Sequence, residues 1–347
     1  MQQCLYHKDR GYYARAKIRQ GRGGDYYTAP SMGKLFARSF ALHLAPILKQ
    51  HPHWILAELG PGQGDLCCDL ILALAELAVY PHYLCVEPQQ ACWPMQQQRC
   101  QHSLSQTLLA NVQWRDTLPD TFCGIVIANE ILDALACGLM YSDADKNLFS
   151  MGVHIQQSVL AWQKQPLSVQ HKRLFLERNL PHHANYHYEL PDYSAWVANI
   201  SAAVKEGLVY IFDYGYPRHI FYHAQRTKGT LMCFGQHRAH DNPLLNPGEQ
   251  DISVHVEFTS LAETAHYHGL AINLYTTLAQ FLQSTVCQAF TQLQAQTSAD
   301  VLSGLHLERH YLLHPEAMGD TMKVMVLAKQ RSWYDETTYA IDLCHTL

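Results

Sequence analysis

Between Trp54 and Asp133 the chain alternates short, continuous apolar runs with segments of helical spacing. Trp54-Ile55-Leu56-Ala57 is the first run, followed by Glu58-Leu59 and the turn Gly60-Pro61-Gly62-Gln63-Gly64. Leu66, Leu70, Leu74, Leu77 and Ala78 then recur at helical spacing, with Ile71 widening the stripe, which predicts an amphipathic helix. Further strands are predicted at Tyr83 to Val86, Val112 to Trp114, Gly124 to Ala128 and Leu208 to Phe212, with Leu270 to Thr276 and Met322 to Ala328 as two more. Continuous apolar strands that alternate with helices are what a mostly parallel α/β sheet covered on both faces requires. The strands run into polar or acidic residues, and the carboxyl edge of such a sheet is where ligands sit. Cys137 to Asn185 and Tyr216 to Ser260 are too long for simple connections and are expected to be insertions.

Composition narrows the function classes. The chain has 347 residues, a net charge of -5, 48% hydrophobic and 16% charged residues, which excludes a disordered chain. Mild acidity argues against nucleic acid as a partner. Before Asp25, however, Lys8, Arg10, Arg15, Lys17, Arg19 and Arg22 stand against Asp9 alone, a basic arm that reads as solvated. The 11 cysteines show no CxxC pair, a pattern that fits a reducing compartment. The opening MQQCLYHKDR lacks an apolar signal core, and the longest apolar stretch is interrupted by Asp69 and Glu76. A soluble cytoplasmic protein without a membrane span is expected. Although there are 22 histidines, no HExxH or Cys/His ligand set accompanies them, so no metal is expected.

The turn is G-x-G-x-G, with Asp65 at the helix entrance where a dinucleotide fold would place a pyrophosphate. That acid would repel an anion and tolerate a ligand with a cationic centre. Glu87 lies 23 residues beyond Gly64, at the end of the second strand, where a carboxylate accepts ribose hydroxyls. Glu58 is expected to face the same pocket, and Asp116 to meet an adenine. S-adenosylmethionine satisfies this pattern through Glu58, Gly60, Gly62, Gly64, Glu87, Asp116 and Asn129. NAD fits Glu87 but not the turn.

Glu58 to Gly64, then Asn129-Glu130-Ile131-Leu132-Asp133-Ala134, then Asp213-Tyr214-Gly215 resemble the mitochondrial complex I assembly methyltransferase family, which has many bacterial members. The likeness extends outward: Cys4 to His7, Gly11-Tyr12-Tyr13, Gly24 to Pro30, Gly229-Thr230-Leu231, His237, Pro247-Gly248, Asp251, His255 to Phe258, Gln280 to Leu282, and Met318 to Val324 follow in order. The resemblance implies a class I, Rossmann-like methyltransferase fold with a mostly parallel seven-stranded sheet. It also implies symmetric dimethylation of an arginine on a respiratory complex I subunit. The chain departs from the family at Ala29-Pro30, at Ser31 and at Leu135-Ala136-Cys137, where the usual proline is missing.

The organisation expected is a basic arm with a lid and helical segment (1–50), the first part of the cofactor core (51–136), an insertion (137–185) and the core continued (186–215). An insertion forming an acceptor-side lobe (216–260) and the completion of the sheet (261–347) follow. Methyl transfer is an in-line displacement in which the enzyme positions the acceptor and excludes water. A guanidinium acceptor is cationic and a poor nucleophile, so carboxylates must orient it. Glu130, Asp133 and Asp213, with Asn129, are expected to face the transferred methyl. For Glu130 and Asp133 the bland alternative is the preference of acids for a helix start. Asp25, Tyr27 and Thr28 are expected in a lid before a helix that starts near Ser31, and Tyr214 is expected to line the pocket. His237 and His255 read as packing residues first and as substrate binders second. A non-catalytic assembly factor that binds the same cofactor is the competing reading, and an NAD-dependent oxidoreductase is disfavoured. The oligomeric state stays open, a homodimer included.

Overall fold

The computed structural model describes residues 1–14, 33–235, 238–296, 299–330 and 342–347. Its strands are β1 Ile55–Leu59, β2 His82–Val86, β3 Val112–Arg115, β4 Phe122–Asn129, β5 Cys137–Ser142, β6 Leu148–Gln156, β7 Val159–Pro166, β8 Tyr186–Pro191, β9 Val204–Tyr216, β10 Met232–Gly235, β11 Arg238–His240, β12 Asp251–Ser253, β13 Val256–Glu257, β14 Ala271–Thr277 and β15 Met322–Lys329. The helices that bear on the site are α1 Gln2–Tyr6, α2 Leu35–Gln50, α3 Asp65–Glu76, α4 Trp93–Ser103, α5 Ser194–Ala203, α6 Phe258–Tyr267, α7 Val286–Gln296 and α8 Ala299–Leu313.

Seven strands lie in the order β14-β15-β9-β4-β1-β2-β3, with β13 pairing off β9. The five from β3 to β9 are parallel, and β15 runs antiparallel to both neighbours. Every strand expected from the apolar runs is in this sheet. Alternation along β4 explains why its run is continuous: Ile125 and Ile127 pack into the core on one face, Val126 and Ala128 into the core on the other. The first face lies under α2, α3 and α7, where Phe36, Phe40, Tyr210, Phe212 and Phe281 meet edge to face or stacked. The second lies under α5 and α6.

Several boundaries differ from the sequence reading. α3 ends at Glu76, because Ala78 takes a left-handed φ of 57° that a helix cannot continue through. β9 starts at Val204, ahead of the apolar run, with Lys205 exposed. α2 begins at Leu35, while Ser31 lies outside the described residues. The carboxylate of Glu308, from α8, accepts the Leu35 N–H at 2.6 Å and the Phe36 N–H at 3.3 Å and so caps α2 from a distant part of the chain.

A second, antiparallel sheet has the order β7-β6-β5-β8. Tyr186–Pro191, expected in the continued core, instead pairs with β5 from Tyr186↔Ser142 to Pro191↔Cys137. The reason is apolar: Tyr186 and Tyr188 are buried with Met140 and Phe175 in a cluster of their own. A small sheet, β11-β10-β12, carries the N-terminal segment, where Leu5 and Tyr12 are buried against Cys233 and Ile252. Among the described residues no helix is long and apolar enough to cross a membrane.

Candidate active site

β1 leaves the sheet directly into the glycine turn. Gly60 and Gly62 both have φ of 56°, a backbone region that costs other residues strain. The Gly60 N–H donates to the Val86 carbonyl at 2.9 Å, and a Cβ on Gly60 would fall 2.6 Å from Ile131 Cδ1. At Gly60 the turn therefore lies against the loop that follows β4, and a side chain there would have to displace the tip of Ile131. At this carboxyl edge a cavity of about 880 Å³ opens. Its walls include Gly60, Gly62 and Gln63 of the turn, Glu87 after β2, Thr117 to Asp120 after β3, and Asn129 to Ile131 after β4. Tyr6 and Tyr13 from the N-terminal segment, and Trp196 and Asn199 from α5, complete it.

Of the residues expected at the site, Gly60, Gly62, Glu87, Asn129 and Glu130 are brought together here. Glu87 Oε1 accepts the Gln89 N–H at 2.8 Å and Oε2 accepts Gln96 Nε2 at 3.4 Å, which fixes the carboxylate at the end of β2. Asn129 Nδ2 donates to Glu130 Oε1 at 3.2 Å. Asn129 Oδ1 is buried and has no hydrogen-bond partner among the described residues, an acceptor that a ligand N–H would satisfy. Glu130 itself has φ of 51°, and its N–H donates to the Phe212 carbonyl at 2.8 Å.

The other expected residues do not line the cavity. Glu58 points to the opposite face of β1 from the lining residue Leu59, as strand alternation requires, and accepts the Tyr83 hydroxyl at 2.7 Å. Burial pushes its carboxyl up to about 8 against the pull of the Tyr83 hydrogen bond, which favours the neutral form near pH 7. Gly64 caps α3 with φ of 86°. Asp116 is exposed with its carboxylate accepting Thr117 Oγ1 at 3.5 Å, and the acid that lines the cavity after β3 is Asp120. Asp133 Oδ2 accepts the Ser253 hydroxyl at 2.8 Å, and burial raises its carboxyl above the usual range.

Asp213 is fully buried, and its Oδ2 accepts the backbone N–H groups of Ile131, Leu132 and Asp133 at 3.2, 2.8 and 3.3 Å. It holds the loop that carries Glu130 instead of facing the cavity. Tyr214 stacks on His255 at 6.4 Å between centroids, away from the cavity lining. Burial lowers His255 to about 4, which keeps it a neutral packing residue. Asp25, Tyr27, Thr28 and His237 lie outside the described residues.

The buried Glu58 makes stability depend on pH. Its folded pKa lies above the unfolded value of 4.5, so the stability it confers is complete below about pH 4.5 and is lost as pH rises toward 8. The unfolding free energy from urea denaturation is expected to fall between pH 5 and 8, by up to about 1.4 kcal/mol per pH unit from this group. In Glu58→Gln, whose amide still accepts the Tyr83 hydroxyl, that slope should flatten. Equal slopes in wild type and variant would show that Glu58 is ionised throughout.

Sequence reading missed Gln63, Asp120, Trp196, Asn199 and the pair Tyr6 and Tyr13. The tyrosines stood within the motifs of the family resemblance but were given no role. The described lining also holds three carboxylates, Glu87, Asp120 and Glu130, and no lysine, arginine or histidine.

Comparison with known proteins matches residues 37–276 to a family described as S-adenosyl-L-methionine-dependent methyltransferase. The protein arginine methyltransferase NDUFAF7 homolog, mitochondrial, of Drosophila melanogaster is 24% identical over 304 residues, 78% of this chain and 66% of that protein. The chain thus spans just under two thirds of that relative's length. A crystal structure from Burkholderia thailandensis bound to S-adenosyl-homocysteine is 30% identical, covers 100% of this chain and 90% of that one, and superposes with a TM-score of 0.91. A native structure of an uncharacterized protein from the same organism is 29% identical with the same coverage and a TM-score of 0.89.

Proposed function

The chain belongs to the family of S-adenosyl-L-methionine-dependent methyltransferases, and from that premise we propose that it methylates an arginine side chain on a protein. A subunit of respiratory complex I is the proposed protein partner, and the cytoplasm the proposed setting. The observation that carries the acceptor class is the charge of the cavity: Glu87, Asp120 and Glu130 line it with no basic residue among the described lining. Such a cavity favours cations, both a sulfonium and a guanidinium, and disfavours phosphate or carboxylate acceptors. It disfavours the pyrophosphate of NAD for the same reason. The Drosophila relative named as an arginine methyltransferase supports the same reading.

The residues present fit S-adenosylmethionine. Glu87 would accept the ribose hydroxyls, and Gly60 and Gly62 let the backbone come close to the ligand. The unpartnered Asn129 Oδ1 would accept an N–H of the ligand or of the acceptor. When bound, the cofactor supplies an electrophilic methyl carbon on a sulfonium. The chain's own part is then to hold and aim. Glu130 pairs with the guanidinium and leaves one nitrogen directed at the methyl carbon, and Asn129 orients its N–H. Asp213, through the amides of Ile131 to Asp133, fixes the loop on which Glu130 stands. Ile131 and Leu135 keep water from the reacting atoms.

The acceptor class is tested by incubating the protein and tritiated S-adenosylmethionine with cell lysate, then hydrolysing the protein fraction and separating methylated amino acids. Label in methylarginine is expected. Label confined to methyl-lysine, to methyl esters or to small molecules would remove the arginine reading.

A further inference from the structure

We propose that Glu58, Cys67, Cys85 and Cys100 form a buried site for a thiophilic cation, zinc by preference, behind the strand ends that line the cofactor cavity. Such a site is independent of the acceptor that is methylated. Glu58 and Cys85 are register partners on β1 and β2, so both side chains leave the same face of the sheet. Cys67, near the start of α3, meets them there, and ligand atoms of these three residues all lie within 4.8 Å of one another. Cys67 Sγ is 3.6 Å from Cys85 Sγ and 3.8 Å from Cys100 Sγ, which α4 supplies.

Packing alone accounts for thiols in a core, because cysteine behaves there as a small apolar residue. It does not account for the carboxyl of Glu58, which is 3% exposed among these cysteines and costs free energy to bury. A cation gives that acid a partner. Around a tetrahedral zinc, sulfurs bound at about 2.3 Å stand about 3.8 Å apart, and the two Sγ distances from Cys67 fit this spacing. Three thiolates and one carboxylate also leave the same formal charge as a Cys4 zinc site. Outer partners are in place as well. The Tyr83 hydroxyl orients the Glu58 carboxyl from 2.7 Å, and the Cys68 thiol donates to Cys100 Sγ at 3.5 Å.

The ligands come from β1, α3, β2 and α4, which is why no ligand spacing shows in the sequence. Glu58 stands just before Gly60 and Cys85 just before Glu87, so the cation clamps together the two strand ends that carry those cavity residues. It also ties in α4, whose Gln96 donates to the Gly62 carbonyl at 3.0 Å. The role is structural, since a full set of protein ligands leaves no open position for substrate. Binding displaces the protons of the ligating groups. The pH slope described above therefore belongs to the metal-free chain.

The probe is cobalt(II), supplied to cells that express the full chain in zinc-depleted medium. Purified wild type, passed over a chelating column, should carry about one cobalt per chain. Its spectrum should show a thiolate-to-cobalt charge-transfer band and the intense visible bands of a tetrahedral site. Cys67→Ala, Cys85→Ala and Glu58→Gln should each lower the cobalt content at least about tenfold. Glu58→Gln keeps an acceptor for the Tyr83 hydroxyl and the shape of the core, so it reads the ligand and not the fold. Cys287→Ser, at an exposed position on α7, should retain the full load. Wild type without a thiolate band, or with cobalt that the column removes, would overturn the site and leave an adventitious ion only. Cobalt retained in Glu58→Gln and Cys85→Ala would also overturn it, because the cation would sit elsewhere. Should the cysteine variants fail to fold, the wild-type spectrum and Glu58→Gln decide alone.

Discussion

Glu130→Gln is expected to slow methyl transfer about 100- to 1000-fold, equivalent to about 2.7–4 kcal/mol, the range seen when one preorganised electrostatic group is removed from a site. S-adenosylhomocysteine affinity should stay within about threefold. The amide keeps the oxygen that accepts from Asn129 Nδ2 at 3.2 Å, so the local conformation survives. It loses the negative charge that would pair with the guanidinium, and charged hydrogen bonds are about twice as strong as neutral ones. Asp133→Asn is the internal control. Its carboxyl is occupied by the Ser253 hydroxyl at 2.8 Å and does not line the cavity, so transfer should stay within about threefold of wild type. Calorimetric binding and initial rates on both variants decide. A fully active Glu130→Gln would return this acid to a structural part, and loss of binding together with activity would move it to the cofactor.

Asp213→Ala should be the more damaging substitution for the fold. Removing the carboxylate strands four amide donors, those of Ile131, Leu132 and Asp133 on Oδ2 and that of Tyr214 on Oδ1, in an environment where Asp213 itself is fully buried. Each unsatisfied buried donor costs about 1–3 kcal/mol, and some relaxation is expected, so a loss of about 3–5 kcal/mol is anticipated in urea denaturation. Transfer should fall as well, because Ile131 follows Glu130 and the loop would lose its anchor. Asp213→Asn keeps one acceptor oxygen and should lose less than half as much. A loss below about 1 kcal/mol in Asp213→Ala would mean that the loop is held by its apolar packing alone.

The frame of the fold was legible because the sheet is buried on both faces. Apart from the edge strand β3, whose Gln113 and Arg115 are exposed, each of the seven strands shows as an apolar run, and the turn after β1 shows as glycines at positions with left-handed φ. Glu87 and Asn129-Glu130 were legible for a related reason, since strand ends of an open sheet point at its ligand. The acids that misled were those whose direction depends on tertiary structure. Glu58 is one residue from the lining residue Leu59, yet alternation sends it into the core beside Tyr83. Asp213 closes the apolar run of β9 but lies inside the strand, and backbone amides of the loop after β4 reach it first. β8 falls within the stretch expected to continue the core, but its tyrosines are buried within the insertion. The capping of α2 by Glu308 and the meeting of Tyr6 with Ala134 join residues too far apart for any local pattern to reveal.

The central claim is that the cavity at the ends of β1, β2 and β4 holds the cofactor, with Glu87 on its ribose. Calorimetric titration of S-adenosylhomocysteine into wild type and Glu87→Ala tests it most directly. The account predicts a folded variant that binds about 10- to 150-fold more weakly, the loss of about 1.5–3 kcal/mol that follows removal of a charged hydrogen-bond acceptor. Unchanged affinity in a folded Glu87→Ala would contradict it and place the cofactor elsewhere.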